Sequence, residues 1–65
     1  MKNDTQKLIL YCSKKLYMKK KVKSLFQKDF CEYANISRQT LFKCCTENRL
    51  TPKLKEIVDE ILRQG

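Results

Sequence analysis

The sequence predicts an all-α fold, a compact bundle of four helices forming one domain over residues 1–65. Three observations point there. A single Gly and a single Pro occur in 65 residues, too few turn formers for a fold of many short strands. Lys, Leu, Glu and Gln, all good helix formers, are abundant. Apolar residues also recur at helical spacing, most clearly Leu54, Ile57, Val58, Ile61 and Leu62 at i, i+3, i+4, i+7 and i+8.

The first helix is expected over residues 4–20, capped by Asp4 or Thr5. Leu8, Cys12 (with Ile9 or Tyr11), Leu16 and Met18 or Tyr17 form its apolar face, and Lys14, Lys15 and Lys19 to Lys21 cover the rest. Residues 21–24 connect it to the second helix, with Val22 as a minor core contact. Ser24 and Gln27 have the spacing of a capping box, which starts the second helix near Leu25 and carries it to Tyr33. Phe30 and Ala34 share one helical face there, and Cys31 is small enough for a neighbouring helix to approach closely. Leu25, Phe26 and Phe30 cannot all turn inward, so one is left half exposed.

A sharp turn follows at residues 34–37. Asn35 supplies a left-handed residue, for which Asn is the best choice after Gly. Ile36 plugs the corner, and Ser37 caps a helix over residues 38–45. Leu41 and Cys44 face inward, leaving Arg38, Gln39, Thr40 and Lys43 outward. Residues 46–50 form a polar loop anchored by Leu50. Thr51-Pro52 then gives an N-cap followed by proline at the first helical position, opening a last helix over residues 52–63. Lys55, Glu56, Asp59, Glu60 and Arg63 make up its solvent face.

The chain holds 15 basic and 7 acidic residues for a net charge of +8, and the charge is uneven. Residues 1–28 contain nine Lys and one Asp, whereas the remainder holds six basic and six acidic groups. Such a surplus implies a polyanionic partner, with nucleic acid the default and an anionic membrane surface the competitor. The apolar run at residues 8–12 is too short for a signal peptide and follows Asp4, and nothing reaches transmembrane length. A cytoplasmic location without membrane attachment is expected.

Four cysteines and no histidine occur, with neither a CxxC pair nor any Cys/His zinc spacing. Cys12, Cys31 and Cys44 fall at inward positions and are expected as reduced core thiols, while Cys45 has no assigned place. No metal, cofactor or small-molecule ligand is expected. No catalytic residues are assigned either: histidine, a nucleophile–base pair and a glycine-rich phosphate loop are all missing.

The stretch QKDFCEYANISRQTLFKCC, residues 27–45, resembles the helix-turn-helix of bacterial and phage DNA-binding regulators. Across residues 27–62 the chain is similar to small Cro-like phage and plasmid repressors, with LTPKLKEIVDEIL resembling their fourth helix. Before residue 27 it departs from them through a longer link. TetR-like regulators fit that spacing, and ISRQTLFK resembles their recognition segment, but they require a large ligand-binding domain where this sequence stops at Gly65. The Cro-like likeness is the better one.

The resemblance implies a transcriptional regulator, a repressor by preference, that reads the major groove with Arg38, Gln39, Thr40 and Lys43. Phosphate contacts would come from Ser37, Lys14, Lys19, Lys20, Lys21, Lys23, Lys28, Arg49 and Lys53. One short helix reads few base pairs, so a homodimer on a palindromic site is expected, with Ile57, Ile61 and Leu62 as the candidate interface or with assembly on DNA alone. An excisionase-like or partition-type accessory role would use the same contacts. A different class of reading is a basic helical module that docks an acidic protein.

Overall fold

The computed structural model describes residues 3–64, and among them it contains four helices and no strand: α1 (Asp4–Met18), α2 (Gln27–Ala34), α3 (Arg38–Glu47) and α4 (Pro52–Arg63). Their ends are set by local chemistry that differs in places from expectation. Asn3, rather than Asp4 or Thr5, caps α1. Its side-chain oxygen accepts the Gln6 N–H at 2.9 Å while Gln6 Oε1 accepts the Asn3 N–H at 3.0 Å, a reciprocal capping box.

α1 stops at Met18 instead of reaching Lys20. Lys20 takes a left-handed conformation at φ 60. The Lys21 N–H then bonds back to the Leu16 carbonyl at 2.8 Å and the Lys20 N–H to that of Tyr17 at 3.0 Å. This is a Schellman-type closure built on lysine, a residue that pays for the left-handed region with steric strain. It swings Val22 back against the core.

Ser24 does not cap α2, which begins at Gln27 rather than near Leu25. The Ser24 hydroxyl donates to Asp29 Oδ2 at 2.6 Å and accepts the Phe26 N–H at 3.2 Å, and Phe26 occupies the cap position without a side-chain bond of its own. Both Leu25 and Phe26 stay exposed, where one of the two had been expected to turn in. At its other end α2 closes on Asn35, at φ 57 and ψ 45, with the Ile36 N–H bonded to the Cys31 carbonyl at 3.1 Å. α3 extends to Glu47, past the expected end at Cys45, and closes the same way on Asn48 at φ 54, with the Arg49 N–H on the Cys44 carbonyl at 3.1 Å. α4 has the expected bounds, with Thr51 Oγ1 accepting the Leu54 N–H at 3.3 Å.

α1 packs against both α4 and α3, and α2 packs against α3. The core joins Ile9, Cys12 and Leu16 of α1 to Phe30, Cys31 and Ala34, then to Leu41, Cys44 and Cys45, then to Leu54, Val58 and Ile61. The apolar stripe of α1 ends at Leu16, because Tyr17 is half exposed and Met18 is 80% exposed. Cys45 belongs to the core, so all four cysteines are buried and free. Ile61 is buried too, which removes it from the expected dimer surface; Ile57 is partly buried against the core and Leu62 is exposed.

Two of the three left-handed positions, Lys20 and Asn35, make opposite predictions for stability. Replacing Lys20 with Asn, which tolerates this region, should raise stability by roughly 0.5–1 kcal/mol. Asn35→Ala should lower it by about 1–2 kcal/mol. Urea unfolding at constant m-value checks both, and equal midpoints for the three chains would refute the account.

Candidate nucleic-acid interface

α3 is held at both ends. At its start Ser37 Oγ accepts the Thr40 N–H at 3.1 Å and lies 2.8 Å from Thr40 Oγ1. At its end the Asn48 side chain accepts the Thr5 N–H at 3.1 Å, and the Asn3 amide donates to the Cys45 carbonyl at 2.5 Å. The N-terminus of α1 thus abuts the C-terminus of α3, a favourable head-to-tail meeting of helix dipoles. Leu41, Cys44 and Cys45 lock the inner face into the core.

With those three turned in, helical periodicity puts Gln39, Lys43 and Thr46 on the crest of α3, with Arg38 and Phe42 on one flank and Thr40 on the other. Arg38, Gln39, Phe42, Lys43 and Thr46 are all exposed. Thr40 is partly buried and its hydroxyl is engaged by Ser37, so it lies beside the outward face instead of on it. Ser37 in turn is committed to capping. Lys43 Nζ lies 4.0 Å from the Glu47 carboxylate, an exposed pair worth little. Arg49 bonds Glu47 at 2.8 Å. The outer face of α3 therefore carries donors of both kinds, guanidinium and amide, but only a small surplus of positive charge.

No protein-family model matches this chain, and neither the curated proteins nor the solved structures contain a match.

The remaining basic residues are spread over the molecule. Lys53 Nζ donates to the Asn35 carbonyl at 3.1 Å, pinning the start of α4 to the α2–α3 turn. Lys19 Nζ donates to the Gln64 carbonyl at the opposite end of α4. A helix length, about 18 Å, separates those two ends. Lys19 accordingly sits far from the turn, whereas Lys21 and Lys23 also border α2 beside Asp29, Glu32 and Tyr33. Lys20, Lys21 and Lys23 line an open surface there with Tyr17, Met18 and Val22. Lys28 is exposed on the first turn of α2. Lys14 lies on the outward stripe of α1 with Lys7, Tyr11 and Met18, opposite the face that packs on α3 and α4. The structure does not bring Lys14 together with α3.

Phe42 was not anticipated, although it is 70% exposed on the flank of the outer face that carries Arg38. It lines an open groove with Gln27, Arg38 and Gln39. The signal was present in LFKCC: once Leu41, Cys44 and Cys45 all point inward, Phe42 has nowhere to go but out.

Among the described residues, no group of three or more His, Cys, Asp or Glu side chains is placed to hold a metal ion. No helix among them is long and apolar enough to cross a membrane. Burial pushes the thiols of Cys12, Cys31 and Cys45 above the ordinary 9.0. Lys15 partly opposes this at Cys12, and Arg38 does so at Cys31.

A thiol whose folded value is raised stabilises the fold fully below the unfolded value and loses that contribution as pH climbs through the folded one. Stability should hold up to about pH 9 and then fall, by at most about 1.4 kcal/mol per pH unit per thiol. Urea midpoints measured on both sides of that value check this. Cys12→Ala should show a shallower alkaline fall than the parent chain, and an unchanged fall would remove Cys12 from the account.

Proposed function

We propose that the protein binds double-stranded DNA sequence-specifically and acts as a transcriptional regulator, with α3 lying in the major groove. The observation that carries this reading is the exposed outer face of α3, rigidly mounted between two asparagine-closed turns and furnished with Arg38, Gln39 and Lys43. A guanidinium pairs bidentately with guanine O6 and N7, and a glutamine amide with adenine N6 and N7. Lys28, Arg49 and Lys53 flank α3 as phosphate contacts, and the lysines at 19–23 supply longer-range attraction.

A helix of ten residues reads only a few base pairs, so two copies on a palindromic site, with half-sites about 34 Å apart, supply the missing specificity. With Ile61 in the core, α4 offers Leu62 and the rim of Ile57 as its apolar surface. That is a small patch, so the second copy joins on DNA. Occlusion of a promoter is the simplest regulatory consequence, and an accessory role in excision or partition would employ the same contacts.

One observation favours a second reading. The outward stripe of α1 interleaves Lys7, Lys14 and Lys15 with Tyr11 and Met18, and the α3 reading leaves it unused. A basic face with exposed apolar side chains suits an acidic protein surface, and such a partner would be retained when α3 is altered.

Selection of bound sites from a random duplex pool tests the first reading. A palindromic site should be recovered, and Arg38→Ala should lower its preference over random sequence by roughly 5- to 150-fold. Converting Lys19, Lys20 and Lys21 to Gln should weaken binding to every sequence alike and flatten the salt slope by up to about 3. If no sequence is enriched and Arg38→Ala binds like the parent chain, α3 does not read DNA.

A further inference from the structure

Phe42 interrupts an otherwise polar helix face. Its ring is 70% exposed, and it shares one groove with the side chains of Gln27, Arg38 and Gln39. The ring stands three residues from Gln39 and four from Arg38, so the amide, the guanidinium and the ring project from adjacent positions of one helical surface. Neither a cap nor a core contact explains it, since Leu41, Cys44 and Cys45 already complete the inner face.

In the major groove, the thymine C5-methyl is the apolar group that base edges display, and apolar side chains contact it there. Polar side chains on either side of the ring address adenine and guanine edges in the same groove. We propose that Phe42 is a specificity-determining residue that packs on the thymine C5-methyl beside the base contacted by Gln39. The inference rests on the reading of α3 proposed above, and it narrows the ligand from duplex DNA to sites with a thymine at one fixed position in each half-site.

The test uses the duplex recovered by the full chain from the random pool. Each deoxythymidine is replaced singly by deoxyuridine, which removes one methyl group and leaves every hydrogen-bonding atom in place. Binding by the parent chain should weaken about fourfold at one position per half-site, the effect of uncovering one methyl group. Phe42→Ala, confirmed folded by circular dichroism, should bind the two forms equally at that position, and Phe42→Leu should keep part of the difference.

If a duplex is recovered but no deoxyuridine substitution matters, or if Phe42→Ala shows the same fourfold loss, the thymine assignment is overturned while the α3 reading stands. If the parent chain selects no duplex, both fall together. If Phe42→Ala fails to fold, Phe42→Leu carries the same comparison, and a deoxyuridine effect undiminished from that of the parent chain overturns the assignment.

Discussion

The placement of α3 depends on two asparagines. Asn35 and Asn48 both adopt left-handed conformations, at φ 57 and φ 54, and each closes one helix while aiming the next segment of chain. Asn48 has a second task, because its side chain accepts the Thr5 N–H near the start of α1. Asn3 answers in the other direction by donating to the Cys45 carbonyl. Two helix ends that would otherwise leave donors and acceptors without partners thus satisfy each other. The two strands of this clasp are more than forty residues apart in sequence. A glycine at position 48 would meet the backbone requirement equally well, but it could not make the bond to Thr5.

Charge is organised differently from shape. The basic surplus lies in the first 28 residues, and among the described ones the lysines stand on α1, in the link beyond it and, at Lys28, on α2. Glu47 stands within reach of Lys43 and Arg49, which reduces the positive charge beside α3. Under the proposed function, attraction to a polyanion and discrimination among sequences come from separate parts of the molecule. Attraction is long-ranged and weakened by salt, whereas contacts between α3 and base edges act at hydrogen-bond distance.

Elements governed by adjacent residues were legible in the sequence. Asn35, Ser37 and Thr51-Pro52 act on backbone groups within a few positions of themselves, and the turn and both helix starts lie where they indicated. Features decided by competition were not. Ser24 has the spacing of a cap, yet the Asp29 carboxylate is a stronger partner for its hydroxyl. The final helix presents five apolar residues in a stripe, and only packing against α1 divides Leu54, Val58 and Ile61 from the exposed Leu62. Cys45 was obscure because two inward residues, Leu41 and Cys44, suffice for a narrow helix face, and its burial follows from α1 crossing α3 there. Phe42 lies outward with either inner set, on the flank beside Arg38.

The end of α1 sets backbone preference against charge. Asn closes α2 and α3, but the corresponding left-handed residue after α1 is Lys20, inside an unbroken KKK run. The same closure with Asn or Gly would relieve strain and fix the chain just as well, so nothing in the fold requires lysine there. The side chain is exposed and lines an open surface with Tyr17, Met18 and Val22. Under the proposed function, what lysine adds there at the expense of the backbone is positive charge, at the place where the chain concentrates it most.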